Sequence, residues 1–429
     1  MLILSDNPIQ DVSQDEFGFR AHAEVLCRAV ANIGDLPLTL AILGPWGSGK
    51  TSFLNICRSL LQKQGMTTVS FGPWKYDKRD EVWHALLQTV LDELARQARN
   101  SPEPTIRERL EQVMGRLRRL SLTATWLLSR QLLTTITPVS LADADLDALK
   151  QAWTGDPAGP SLNADYHAAN RFERDFADVV RELTGDAPVA IFIDDLDRCR
   201  PETALSVLEA LRIFMGDAPC VFIIAMDHGA LIDTAARHFD GDRVRGRRYL
   251  EKLVHFSYHL PGVRWESLGK ALRFRLEFLP DDPVIWEVMR IGFQNNPRRV
   301  RRFVGTYNLT LAMLSAAGKQ SAERIRQIAI LLMLRQEHPD FFAQLQTDPD
   351  IWLPLTSVRT TGVPRSPGSV SLSDTTVREV LGPELTKILE QISARSHFDF
   401  PPPPSADLVR ILSEVVVVTT TGLAHMERP

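Results

Sequence analysis

Short apolar runs mark out the first 260 residues: Leu38–Leu43, Thr67–Phe71, Val189–Ile193, Cys220–Ala225 and His255–Leu260. Leu38–Leu43, Val189–Ile193 and Cys220–Ala225 have the length and composition of buried strands, Thr67–Phe71 reads as a further strand, and His255–Leu260 is a candidate strand. Between them lie stretches whose apolar positions recur every three or four residues and therefore share one helical face. Ala23, Leu26, Cys27, Val30 and Ile33 predict a helix over Phe19–Ile33, and Val82, Leu86, Val90 and Leu94 predict one over Glu81–Ala98. A third stripe is formed by Phe172, Phe176, Val179, Val180 and Leu183, a fourth by Leu205, Leu208, Leu211 and Phe214 behind Pro201. Strand alternating with helix predicts an α/β fold, with a parallel sheet covered by helices on both faces.

Beyond Pro261 the chain changes to helices. Helices are predicted at Trp265–Phe278, Val284–Phe293, Arg298–Ala316 and Ala322–Leu334, which make a helical lobe. The division that follows is an α/β domain over 1–262, a helical lobe over 263–350, and a linker with a C-terminal tail over 351–429. Residues 356–376 read as a flexible linker and Pro401–Pro404 as a rigid spacer. Residues 101–167 form an insert in the α/β domain. They hold a basic amphipathic stretch at Arg107–Leu122, a loop at Thr154–Asn163 and the apolar segment Leu120–Leu141. That segment is interrupted by Ser121, Ser129, Arg130, Gln131 and several threonines, which makes a membrane span costly and predicts a packed or partner-binding helix.

The chemistry gathers where strands end. Gly44-Pro-Trp-Gly-Ser-Gly-Lys-Thr51 follows the first strand and opens a helix, which is the setting of a phosphate-binding loop. Gly44, Gly47 and Gly49 would let backbone N–H groups approach phosphate oxygens, aided by the positive end of the helix, and Pro45, Trp46, Ser48 and Ser52 complete the expected binding loop. Lys50 would reach the β- and γ-phosphates and Thr51 would offer its hydroxyl to Mg²⁺. Val189–Ile193 delivers Asp194 and Asp195 at its C-terminal end: Asp194 as a metal ligand opposite Thr51, Asp195 as the group that orients or deprotonates water. Asp227, at the end of the next strand, is a candidate γ-phosphate sensor or a plain strand-end turn. These positions coincide with the strand C-termini, where open α/β sheets bind ligands.

Two arginine runs stand apart from this set. Arg243, Arg245, Arg247 and Arg248 read as a solvated loop, with nucleic-acid contact as the alternative. Arg298, Arg299, Arg301 and Arg302 open a lobe helix behind Pro297. Of these, Arg298 or Arg299 is the expected partner of the γ-phosphate, and Arg301 and Arg302 are expected to point elsewhere.

Composition narrows the partners. Lysine and arginine total 49 against 53 aspartates and glutamates, a net charge of −4, so there is no general field for nucleic acid or an acidic membrane. The cysteines Cys27, Cys57, Cys199 and Cys220 lack metal-binding spacing and read as reduced thiols, and the N-terminus reads as carrying no signal peptide; the expected location is the cytoplasm.

Taken with these residues, the chain resembles the KAP family of P-loop NTPases, within the additional-strand class that includes AAA and STAND proteins. The likeness is carried by Gly44–Thr51 as Walker A, Phe71-Gly-Pro-Trp-Lys-Tyr76, Ile191-Phe-Ile-Asp-Asp-Leu-Asp-Arg-Cys199 as Walker B, Tyr249–Lys252 and Asn296–Arg302, spanning about residues 15–335. Gly72 replaces the asparagine usual in the second block, and Trp74 is expected to pack. Many members carry membrane spans between Walker A and Walker B, where this chain has Leu120–Leu141. The resemblance implies ATP and Mg²⁺ as ligands and, for bacterial members, phage exclusion; animal members are linked to membrane-associated signalling scaffolds. The leading expectation is an ATPase acting as a conformational switch, as a homo-oligomer or with a partner protein. The alternatives are a slowly hydrolysing nucleotide-clamped scaffold and a nucleic-acid-dependent motor. The absence of an Asn-Lys-x-Asp guanine tetrad favours ATP over GTP.

Overall fold

The computed structural model describes residues 7–353 and 382–414, apart from 77–78, 101–112, 114–173, 186, 215–217 and 238. The expectations for 101–167, for the 356–376 linker and for Val415–Val418 therefore fall almost wholly outside the described residues.

Helix α1 (Phe19–Ala31) leads into β1 (Leu38–Leu43), α2 (Lys50–Lys63), β2 (Thr67–Phe71) and α3 (Arg79–Asn100). After α4 (residues 174–184) come β3 (Val189–Ile193), α5 (Pro201–Phe214), β4 (Cys220–Met226), α6 (His228–Arg237), α7 (Arg243–Glu251) and β5 (Phe256–His259). The strands form a five-stranded sheet in the order β2-β3-β4-β1-β5, with every pairing parallel. Side chains alternate between its faces, as the strand pleat requires. Leu40, Ile42, Phe192 and Ile223 join one buried cluster with α1 and α2; Ala41, Leu43, Ile191, Ile193 and Phe222 join another with residues of α3, α4, α5 and α6. Helices on both faces explain why β1, β3 and β4 are buried along their whole length. The edge strand β5 is mostly exposed.

The lobe consists of α8 (Trp265–Leu272), α9 (Pro283–Gly292), α10 (Pro297–Ala317), α11 (Ala322–Glu337) and α12 (Pro339–Thr347). Asp282, Asn296 and Ser321 each accept backbone N–H groups at the helix starts of α9, α10 and α11. Two further helices, α13 (Pro383–Ser396) and α14 (Ala406–Glu414), pack on this lobe, with Leu385, Leu389, Ile392, Leu408 and Leu412 buried in its core. Between them the proline run lies against the lobe as a strap. Trp352 Nε1 donates to Pro401 O at 2.9 Å and Gln327 Nε2 to Pro402 O at 2.9 Å.

The structure corrects three local expectations. Arg243–Glu251 is a helix and not a loop: Asp242 caps it by accepting from Val244 N and Arg245 N. Gly246 lets it lie directly on α6, where a Cβ would stand 2.7 Å from Ala236 N. The helix expected over Trp265–Phe278 stops at Leu272 and continues as a short 3₁₀ turn, Arg273–Arg275. Trp74 does not pack: it is 48% exposed, while Tyr76 stacks on Phe71 in its place. Among the described residues, no helix is long and apolar enough to cross a membrane.

Candidate nucleotide site

The loop between β1 and α2 is tied to the sheet by Gly44 N, which donates to Met226 O at 3.3 Å. Gly47 and Gly49 have φ of +82° and +99°, the left-handed region that disfavours a side chain. Two close neighbours reinforce this demand. A Cβ on Gly47 would stand 2.7 Å from Asn296 Oδ1, and one on Gly49 would stand 2.8 Å from the Phe19 ring. Gly49 is also the N-cap of α2 and offers no side-chain bond, so the first N–H groups of that helix keep their capacity for an anion.

Lys50 is the first residue of α2, and its side chain is 8% exposed. Its ammonium donates to Gly44 O at 2.9 Å and Pro45 O at 3.2 Å. The Ser48 hydroxyl is buried and has no hydrogen-bond partner among the described residues. An orphaned hydroxyl, an uncapped helix start and a buried ammonium around one loop fit a polyphosphate. Ser52 faces away from this group, accepting from Ile9 N at 3.4 Å.

Opposite the loop, the Thr51 hydroxyl bonds the Asp194 carboxylate, whose Oδ1 also accepts from Asp195 N at 2.8 Å. Burial pushes the Asp194 carboxyl above its ordinary range, and these two hydrogen bonds oppose the shift. A hydroxyl and a carboxylate side by side are the hard oxygen donors that Mg²⁺ takes. Asp195 sits at φ +58°, and its Oδ1 is 2.8 Å from Arg198 Nε. Burial raises its pKa, with the neighbouring Asp194 charge acting in the same direction. Asp227 lies at the end of β4, but its Oδ1 accepts from Gly229 N at 3.0 Å and Ala230 N at 3.3 Å, which makes it the cap of α6.

The lobe reaches the loop through the start of α10. Asn296 Oδ1 accepts from Arg298 N and Arg299 N, each at 3.2 Å, while its Nδ2 donates to Trp46 O at 2.9 Å. One amide thus caps a lobe helix and holds the phosphate loop. The Trp46 ring, 40% exposed, lies under the guanidinium groups of Arg298 at 4.4 Å and Arg302 at 5.2 Å. Arg302 was expected to point elsewhere, but residues four apart share a helical face, so it follows Arg298 to the loop. Arg299 is turned about 100° from Arg298 and pairs with Glu337 at 2.7 Å. Arg301 pairs with Glu16 at 3.0 Å and lies over the Phe17 ring.

The structure therefore gathers Gly44, Pro45, Trp46, Gly47, Ser48, Gly49, Lys50, Thr51, Asp194 and Arg298, and leaves Arg299 and the Asp227 carboxylate engaged elsewhere. Sequence reasoning did not single out Asn296 or Asp197. Asn296 carried a signal in its position before Pro297, where an N-cap belongs. Asp197, whose Oδ2 is 3.6 Å from Lys50 Nζ, carried one in its spacing of three from Asp194.

Comparison with known proteins adds three findings. The signature of the KAP family P-loop domain matches residues 19–314. The phage T7 exclusion protein of Escherichia coli (strain K12) is 26% identical over 286 residues, which cover 64% of this chain and 37% of that protein. This chain thus spans little more than a third of the length of that relative. The solved structure of the Aeropyrum pernix ORC2 protein in ADPNP and ADP complexes aligns over 95% of both chains at 14% identity, with a TM-score of 0.34.

Proposed function

Because the chain belongs to the KAP family of P-loop NTPases, we propose that it binds ATP with Mg²⁺ at the β1–α2 loop and hydrolyses it as a conformational switch. The observation that carries this reading is the convergence of the Lys50 ammonium, the unpartnered Ser48 hydroxyl and the uncapped start of α2 on one loop. In this reading Lys50 and the loop amides hold the β- and γ-phosphates, and Thr51 and Asp194 hold the ion. The bound ion would offset charge on the terminal phosphates. Asp195 orients the attacking water, and Arg298 approaches the γ-phosphate from the lobe. Its neighbour Asn296 ties the same helix to the loop, so a change in loop occupancy is passed to the lobe.

The ion pair between Asp195 and Arg198 favours a second reading, a slowly hydrolysing nucleotide-clamped scaffold, because a carboxylate held by a guanidinium at 2.8 Å is engaged away from an attacking water. A role in phage exclusion, in the cytoplasm and with a second copy or a partner protein, belongs to the same proposal. The phage-exclusion part is supported by the Escherichia coli relative. Calorimetric titration with ATP and Mg²⁺, followed by a turnover assay, tests the reading. The wild-type protein is expected to bind ATP and Lys50→Ala to lose tight binding; equal affinity in the two would reject the assigned site.

A further inference from the structure

The turn after β3 carries a carboxylate that the proposed mechanism does not use. Asp194, Asp195 and Asp197 lie within four residues, yet each faces a different group. Asp194 accepts from Thr51 and from Asp195 N, Asp195 meets Arg198, and Asp197 faces Lys50. The short 3₁₀ helix Leu196–Arg198 is the cause, since side chains three apart eclipse one another in that geometry. It brings Arg198 to Asp195 and leaves Asp197 toward the loop. The pair is nearly enclosed, with the Lys50 side chain 8% and the Asp197 side chain 11% exposed.

We propose that Asp197 is an anionic placeholder for the terminal phosphates: it holds the Lys50 ammonium while the loop is empty and yields it when nucleotide enters. The proposal rests on the nucleotide reading of the site and names its regulation. An ammonium has three protons to donate; Lys50 gives two to carbonyls, Gly44 O at 2.9 Å and Pro45 O at 3.2 Å, and meets Asp197 Oδ2 as an ion-pair partner at 3.6 Å, beyond hydrogen-bond reach. An arriving phosphate oxygen takes the remaining proton and competes with Asp197 for the charge of the ammonium. The two carbonyls belong to the loop backbone, whose shape forms the cradle. Asp197 is the partner on a side chain and is not hydrogen-bonded to the ammonium, so it is the one that gives way. Once displaced, its negative charge remains beside the phosphates in a site shielded from water. It thereby weakens nucleotide binding and favours release of product. Asp197 is a positioning residue that acts through Lys50.

The test compares Asp197→Asn, Asp197→Ser and Asp197→Glu with the wild type, by calorimetric titration of ATP and of ADP, each with Mg²⁺, and by steady-state kinetics. Both neutral variants are expected to bind ATP and ADP on the order of 10-fold more tightly, as removal of one nearby like charge implies. KM should fall and kcat should fall with it as product release slows, while Asp197→Glu restores wild-type affinities. The serine variant supplies the same reading if the amide variant does not fold. Unchanged or weaker ATP affinity in a folded neutral variant overturns the proposal, and so does a loss of kcat with ADP affinity unchanged, which would make Asp197 a base. Failure of the wild type to bind ATP would instead sink the nucleotide reading itself, and the placeholder with it.

Discussion

Helices α7 and α10 begin with nearly the same text. Asp242-Arg-Val-Arg-Gly-Arg-Arg and Asn296-Pro-Arg-Arg-Val-Arg-Arg each place an N-capping side chain before four arginines. Their surroundings separate them. On α7 the charges stay local or face water: Arg243 pairs with Asp233 and Arg245 with Asp242, while Arg247 and Arg248 are exposed. On α10 every arginine reaches another part of the chain, Arg298 and Arg302 the Trp46 ring, Arg299 the end of α11, and Arg301 the segment before α1. A charge run therefore acquires a role from the surface its helix start abuts, and here the cap itself makes the difference. Asp242 serves only α7, whereas Asn296 also holds Trp46 O.

The largest effect expected from this contrast is on turnover. Arg298→Ala should lower kcat on the order of 10³-fold, the lower end for loss of an arginine that meets developing phosphate charge, while the double variant Arg247→Ala/Arg248→Ala should stay within about twofold of wild type. Steady-state ATP hydrolysis distinguishes the two, and equal losses would erase the contrast. A moderate effect is expected from the caps. Asp242→Ala should cost about 1 kcal/mol of stability, the usual value of a lost N-cap. Asn296→Ala should cost about 2 kcal/mol, because a hydrogen bond to the loop goes with it. Urea unfolding of the nucleotide-free protein measures both, and identical costs would show that the bond to Trp46 O contributes nothing.

The smallest effect concerns the end of α11, where Glu337 anchors Arg299 and His338 follows. Burial lowers the His338 pKa below its ordinary 6.5, against a weaker opposing pull from Glu384. In the unfolded chain the ring takes up a proton as pH falls below 6.5, while the folded protein resists it, so stability is lost toward acid. His338→Gln should remove that part of the decline, well under about 1 kcal/mol for a half-exposed ring. Melting temperatures across mildly acidic pH would reveal it as a flatter profile; an unchanged slope would exclude His338 as a contributor.

These contrasts also mark how far sequence reasoning reached. The β1–α2 loop was legible because its requirements are local: glycines at fixed spacing, a strand before and a helix after. The strand order was not spelled out by those local signals, but burial of Val189–Ile193 and Cys220–Met226 on both faces agrees with their continuous apolar runs. Helix α7 was missed because its stripe is almost empty; Gly246 and Leu250 are its buried residues, and the one local clue was Asp242. The contact between Asn296 and Trp46 joins positions 250 residues apart, and nothing in either neighbourhood encodes it. Arg302 was misjudged for a simpler reason, since its four-residue spacing from Arg298 was there to be read.

The lobe shares its interior with the sheet. The buried cluster that contains Leu40, Ile42 and Phe192 continues through α1 and α2 into Phe303, Tyr307 and Leu331, and on to Leu389 and Leu412. A lobe with a separate core could swing about a linker as a rigid lid, opening a water-filled gap. Close-packed side chains shared by both parts do not permit that, because a gap would strip them of contacts along the whole seam. What such a seam permits is shear: helices slide past one another by small steps while their side chains exchange rotamers within an unbroken interior. For the nucleotide switch proposed above, such a seam allows a short-stroke slide, read at Trp46, and not the closing of a jaw.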